Sequence, residues 1–304
     1  MKDNTSIQAQ AVLYRNDSRE LLRALEAMDN AAGEAAEEGC KVSLRWGDAS
    51  EEPIFSDEDW MEIRNRFSHL VGMEYRAWRK NTGYGGGNNL LAKDAEADYL
   101  LIMNPEIVVS PYTIVSLLDM FQASETGIAE ARQIPMEHPK YFDPITGETA
   151  WASGACFMIP AALFRQLSGF DAETFFMYCE DVDLSWRVRL AGKKVIYQPL
   201  AGVFHTRSFS ADGRYQPGEA EMCYTVLSEA LLAYKWSYPE FARERIKKAL
   251  AYGLTGSAEA QEVFSRKEAA GELPEFLDPD HRVAKIIQQP ETGGMLFAEH
   301  RYVI

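Results

Sequence analysis

In the stretch FFMYCEDVDLSWRVRLAGKK, residues 175–194, three carboxylates (Glu180, Asp181 and Asp183) follow directly on an aromatic cluster. Acidic side chains are seldom buried unless paired with, or bound to, something positive. Phe175, Phe176, Met177 and Tyr178 nevertheless argue against a fully solvated setting. The start of a helix accommodates one anion through its macrodipole; three need further reasons. Asp183 is spaced to pair with Arg187, four residues on along a helix. Asp181 is then the acid left to accept a proton, and helix-terminal placement favours its ionised form.

Two more groups have types suited to the same chemistry. Glu106 closes the segment YLLIMNPE, where a carboxylate either caps the next segment or holds a hard cation. Mg²⁺ and Mn²⁺ are bound through one or two carboxylates together with substrate phosphates. His205 ends the apolar run of KVIYQPLAGVFH; a lone histidine is often a satisfied core residue, and its position at a strand end makes a ligand role an even match. NTGYGGGNN, residues 81–89, is not a dinucleotide fingerprint, because G-x-G-x-x-G needs glycine where Asn88 stands, and no G-K-[ST] follows. It reads as a loop whose backbone can approach a ligand closely, against the alternative of a plain helix entry.

The elements that must position these groups alternate in kind. IQAQAVLYRND reads as a strand, and SRELLRALEAMDNAAGEAAEEG as a helix with Ser18 at its N-cap and Leu21, Leu22, Leu25 and Met28 on one face. CKVSLRW is a second strand closed by GDASEEP, which makes a parallel βαβ unit. The continuous apolar run of YLLIM implies burial on both faces, as at the centre of a parallel sheet. A helix around SPYTIVSLLDMFQAS, a strand in TGIAEARQI, a strand and short helix in ASGACFMIPAALFRQLSGFD, and a helix in EDVDLSWRVRLAGKK follow. Beyond residue 210 the strand signal fades into two helices, and the tail from Leu254 resists assignment. Open α/β sheets bind ligands outside the carboxyl ends of their strands. Asp48 with Ser50, Asn104 with Glu106, and His205 all map to such ends.

Bulk properties bound the function. The chain has 304 residues, 46% of them hydrophobic, enough to bury a core without disulfides. A net charge of −15 disfavours nucleic acid and charge-driven docking on an anionic membrane. Any phosphate-bearing ligand must then be met locally by a metal, a helix terminus or a few basic groups. The four cysteines are scattered without C-x-x-C spacing, and the N-terminal residues have no signal-peptide h-region. The expectation is a cytoplasmic protein.

Taken in order, VLYRND, GDAS, NTGYGGGNN, YLLIMNPE, WASGACFMIP, GFDAETFFMYCEDVDLSWRVRLAG and PLAGVFH resemble the bacterial family-two glycosyltransferases, rhamnosyltransferase-like branch, over about residues 7–207. The resemblance implies a GT-A fold, α/β with a mostly parallel Rossmann-like sheet flanked by helices. It implies a glycosyltransferase domain over residues 1–210, nucleotide-binding to about 110 and acceptor-binding from 111, then a helical extension over 211–304. It also implies an inverting hexosyltransferase acting from a nucleotide-diphosphate donor, with dTDP-rhamnose the first choice. The acceptor would be a glycan or lipid-linked glycan, placing the protein at the inner face of the cell membrane in polysaccharide biosynthesis. By position, Asp181 matches the general base, with Glu180 beside it holding the acceptor. Glu106 and His205 match the metal and diphosphate site, and the cofactor is Mg²⁺ or Mn²⁺. Tyr14, Asp48, Ser50, Asn81, Gly83, Asn88 and Asn104 match donor contacts. Two departures stand out: Gly47-Asp48 where the family commonly has Asp-Asn, and Glu106 where the strand motif usually ends in aspartate.

Two rivals remain open on residues alone. One is a phosphohydrolase or nuclease with Glu106, Glu180, Asp181 and Asp183 around two cations. The other is a catalytically silent nucleotide-sugar binding module. The C-terminal helices are open to acceptor, partner-subunit or membrane-surface binding.

Overall fold

A computed structural model describes residues 4–206, 210, 215–290 and 293–301. The chain begins β1 (Ser6–Leu13), α1 (Ser18–Glu37), β2 (Lys41–Asp48), α2 (Asp57–Arg64), β3 (Gly72–Ala77), α3 (Tyr84–Ala92) and β4 (Tyr99–Met103). It continues through β5 (Val108–Val109), α4 (Thr113–Asp119), β6 (Thr126–Ile134), β7 (Glu148–Thr149), β8 (Cys156–Pro160) and α5 (Ala161–Gln166). Then come α6 (Glu180–Leu190), β9 (Lys194–Phe204), α7 (Glu219–Lys235), α8 (Pro239–Ala251), α9 (Ser257–Ala270) and a small hairpin, β10 (Ile287–Gln288) with β11 (Met295–Leu296).

The main sheet has the order β3-β2-β1-β4-β8-β6-β9-β5, with β7 on β9. Strands β3, β2, β1 and β4 are mutually parallel, and β9 runs parallel to β6. Between these groups β8 is antiparallel to both β4 and β6, which restores the direction of β4 in β6 and β9. The carboxyl ends of β1, β2, β4, β6 and β9 therefore share one edge, and the segment entering β8 arrives there too. As its sequence implies, β4 is buried on both faces, with Leu100, Leu101 and Ile102 inaccessible. The overall architecture is the α/β, GT-A arrangement expected, helices covering both faces of the sheet.

Local expectations need three corrections. Asp17, not Ser18, caps α1: its carboxylate accepts from the Arg19 and Glu20 amides, and Ser18 is already helical. NTGYGGGNN is not an open loop, because α3 starts at Tyr84 directly after Gly83. Gly83 has φ +66°, and a Cβ there would stand 2.2 Å from the Phe176 carbonyl oxygen, so the turn requires glycine. The tail holds a further helix, α9, whose mainly polar surface buries only Ser257, Ala260 and Phe264. That sparse burial is why no apolar period announced it.

Helices α7, α8 and α9 pack on α6 through a second core of Trp186, Val226, Ala230, Trp236, Ala242, Ile246 and Phe264. Trp186 and Trp236 meet edge-to-face at 5.2 Å. No helix among the described residues is long and apolar enough to cross a membrane.

Candidate active site

The shared edge opens into a cleft of about 710 Å³ lined by Tyr14, Asn104, Glu106, Glu180, Asp181 and His205, with Tyr84, Lys140 and Trp151. Tyr14, Asn104 with Glu106, and His205 follow the ends of β1, β4 and β9, Tyr84 and Glu180 with Asp181 open α3 and α6, and Lys140 and Trp151 come from the loops before and after β7.

One corner joins β4 to β9. Glu106 Oε1 lies 3.0 Å from His205 Nε2, and Asn104 Nδ2 lies 3.3 Å from the same nitrogen. His205 Nδ1 is 3.1 Å from Gln133 Oε1, and the His205 amide donates to the Ile134 carbonyl. With its Nδ1 proton donated to Gln133, the imidazole presents the Nε2 lone pair toward a carboxylate oxygen. Two electron-rich atoms so close need a proton or a cation between them. A carboxylate with an imidazole is a donor set that Mn²⁺ and Mg²⁺ accept. No group of three or more histidine, cysteine or acidic side chains among the described residues is arranged to hold a metal. An ion at Glu106 and His205 would take its remaining ligands from substrate oxygens and water.

The opposite corner is the start of α6, and here the three carboxylates separate by environment. Tyr178 and Cys179, with φ of 69° and 67°, make a left-handed turn that swings Glu180 and Asp181 toward the cleft. Asp181 Oδ2 accepts from the Gly154 amide at 2.7 Å, and Oδ1 from the Val182 amide at 2.8 Å. Glu180 is buried, and its Oε2 has no hydrogen-bond partner among the described residues. Burial, then the neighbouring Asp181 charge, lifts the Glu180 carboxyl to about 8. Burial also raises Asp181, against the downward pull of the Gly154 and Val182 amides and the Lys140 charge. This corrects the expected ionising influence of the helix terminus: desolvation outweighs it. The two carboxyls differ in support: Asp181 accepts from two backbone amides, whereas Glu180 Oε2 lacks a partner among the described residues.

Asp183 faces the other way and is fully buried. The expected pair forms, Arg187 Nε lying 2.7 Å from Oδ2. Lys235 Nζ lies 2.7 Å from Oδ1, and Trp236 Nε1 donates to Oδ1 at 3.0 Å. Asp183 thus ties α6 to α7 and contributes nothing to the cleft.

Sequence reasoning missed Lys140, Glu130 and Tyr84. Lys140 sits on the irregular loop after β6 and Glu130 within an apolar strand, so neither belongs to a recognisable local pattern. Tyr84 donates to the Gly154 carbonyl at 2.5 Å.

No family model matches the chain. A segment of 68 residues is 41% identical to the N-acetylglucosaminyl-diphospho-decaprenol L-rhamnosyltransferase of Mycobacterium tuberculosis, covering 22% of each chain. The rhamnosyltransferase WbbL of Escherichia coli is 22% identical over 192 residues, which is 50% of this chain and 71% of that one. Among solved structures, GalNAc-T7 with UDP, GalNAc and Mn²⁺ superposes with a TM-score of 0.57 at 11% identity, covering 90% of this chain and 59% of that one. The mannosyltransferase PcManGT of Pyrobaculum calidifontis, with GDP-Man and Mn²⁺, gives 0.55 at 12% identity, covering 87% and 80%. In sequence the chain is similar to rhamnosyltransferases over part of its length, and its fold is the one these glycosyltransferase structures share.

The remaining residues expected on the donor side lie as follows. Asp48 is inaccessible, its carboxylate spent on the Ser50 and Ile54 amides and the Tyr75 hydroxyl. Ser50 is buried too, and its Oγ accepts from the Arg15 amide. Asn88 points inward, exchanging hydrogen bonds with Gln10 and the Tyr84 carbonyl. Asn81 Oδ1 holds the Gly83 amide. Asp48, Ser50, Asn81, Gly83 and Asn88 are not among the residues lining the cleft, and Asp48, Ser50, Asn81 and Asn88 each hold a backbone or side-chain group of a nearby turn. The Gly47 departure also has a steric cause. A Cβ at Gly47 would lie 2.0 Å from the Trp78 ring, so the indole fills the space where the family's aspartate would project.

Proposed function

We propose that this chain is an inverting glycosyltransferase that uses a nucleotide-diphosphate sugar, with Asp181 as general base. The observation that carries the reading is that Asp181, Glu106 and His205, from three segments, line one cleft. Asp181 takes the proton of the acceptor hydroxyl as the anomeric bond breaks, held in line by the Gly154 and Val182 amides. Such a base contributes roughly 10²- to 10⁴-fold. Glu180, neutral near pH 7, donates a hydrogen bond to an acceptor oxygen. Glu106 and His205 would hold Mg²⁺ or Mn²⁺, which when bound offsets charge gathering on the leaving diphosphate. Asn104 orients His205 beside them, and Tyr14 lines the donor side.

The donor read first is dTDP-rhamnose and the acceptor a glycan or lipid-linked glycan at the membrane face, on the resemblance and the rhamnosyltransferase names of two relatives. The domain division belongs to the same proposal: residues 1–210 carry transfer and 211–304 form a helical extension, the boundary falling beside residues 211–214, outside those described. The two-cation hydrolase reading loses an acid, because Asp183 is committed to Lys235, Arg187 and Trp236.

A panel of nucleotide-sugars is screened by thermal shift, with and without Mn²⁺, then by donor hydrolysis. One donor should raise the melting point only with the cation and be slowly hydrolysed. No stabilisation by any nucleotide-sugar, or phosphate release from simple esters instead, overturns the reading.

A further inference from the structure

Lys140 and Glu130 form a buried ion pair that the reaction as described does not use. The ammonium lies 2.7 Å from the Glu130 carboxylate, and both residues are at least nine-tenths buried. It also donates to the Trp151 carbonyl at 2.6 Å and sits 4.1 Å from the Trp151 ring centroid. Glu130 Oε1 accepts from the Ser153 amide at 2.9 Å. The pair therefore grips residues 151–153 from two sides. The next residue in that segment, Gly154, supplies the amide that holds Asp181 Oδ2. A second strand of contacts runs alongside: the Ala152 amide donates to Ser185 Oγ, which donates to the Asp181 carbonyl.

Burying two opposite charges is costly and is often no better than an apolar pair for stability, so its place against the cleft wall calls for another role. We propose that Lys140, held by Glu130, is a positioning residue for Asp181: it fixes the turn that carries the Gly154 amide and presents a buried ammonium to the Asp181 carboxylate. The inference rests on the reading of Asp181 as base.

The electrostatics agree with the geometry. Lys140 acts to lower the Asp181 carboxyl, opposing the burial that raises it. The other titratable groups interacting with Asp181 are Glu180 on the same helix, Tyr84 from α3, and Cys179 at the helix entry. Glu130 and Glu137 face Lys140, while Asp183 and Glu229 face Cys179. Among these groups Lys140 carries the positive charge, so removing it leaves the Gly154 and Val182 amides to oppose burial and the neighbouring acids.

The test does not depend on turnover. The full chain labelled with ¹³C at aspartate carboxyls is titrated by NMR, Asp181 being assigned by its absence in Asp181→Asn. In Lys140→Met the Asp181 midpoint should move up, and in Lys140→Arg it should stay near wild type. Hydrolysis of dTDP-rhamnose, followed across pH, should lose its rate at a higher pH in Lys140→Met, with nucleotide affinity unchanged. An unmoved Asp181 midpoint overturns the proposal. If Lys140→Met does not fold, Lys140→Gln, which also removes the charge and keeps a polar end, gives the same reading. A moved midpoint in a protein that hydrolyses no nucleotide-sugar would leave the positioning intact and remove the transferase reading instead.

Discussion

Glu106 Oε1 and His205 Nε2 stand 3.0 Å apart, although 99 positions separate them in the chain. The contact exists because β8, antiparallel to its neighbours, returns β6 and β9 to the direction of β4, so both residues leave their strands at the same edge. If the pair holds a divalent ion, Glu106→Ala and His205→Ala should each weaken Mn²⁺-dependent binding of nucleotide by roughly tenfold or more, as loss of a ligand implies. Calorimetric titration with and without Mn²⁺ measures this; a metal-independent affinity equal in wild type and variants refutes the assignment.

Asp181→Asn keeps an acceptor for one of the Gly154 and Val182 amides but cannot take a proton. Transfer or donor hydrolysis should fall by about 10²- to 10⁴-fold while the donor's thermal shift is retained. Turnover within a few-fold of wild type would exclude Asp181 from proton transfer.

The raised Glu180 carboxyl makes the fold sensitive to alkali. Between the ordinary carboxyl range and about 8 the folded chain binds more protons at this site than the unfolded chain does. The stability of the neutral acid is therefore complete at low pH and lost as pH rises through about 8, at up to about 1.4 kcal/mol per pH unit for one proton. Melting temperatures at pH 6 and pH 9 should differ less in Glu180→Gln than in wild type. Equal differences would show that Glu180 is already ionised at pH 6.

Asp183 is a hub between α6 and the C-terminal helices. Asp183→Ala leaves Lys235 and Arg187 without their shared carboxylate in a buried site, and should cost about 3–5 kcal/mol. Urea unfolding checks this; a cost below 1 kcal/mol would mean that the ion pairs add nothing to joining the two cores.

Gly47→Asp restores the residue type common in the branch but would drive its side chain into Trp78. It should lower the melting point by several degrees, and Trp78→Ala in the same chain should recover most of the loss. Failure of that rescue would show that the indole is not what keeps the position glycine.

Much of this could be read from spacing along the chain. The four-residue step from Asp183 to Arg187, the apolar run of β4 and the polar groups at the ends of β2, β4 and β9 depend on period and proximity in sequence, which a local pattern carries. Asp48 and Asn88 show where such reading stops. Their motifs have the expected residue types, yet their polar atoms turn inward to hold Ser50, Ile54, Gln10 and Tyr84. Nothing local distinguishes an amide that faces a ligand from one that braces a turn.

The chain order alone settled most of the elements of the first 205 residues and several of the polar groups at their ends, because backbone periodicity and turn chemistry act over a few residues. Folding in three dimensions settled which of three adjacent acids is pushed up by burial beside another acid, which is locked to Lys235, and which accepts from the distant Gly154 amide. Those outcomes follow from desolvation and charge at close range, and both depend on neighbours that arrive from elsewhere in the chain.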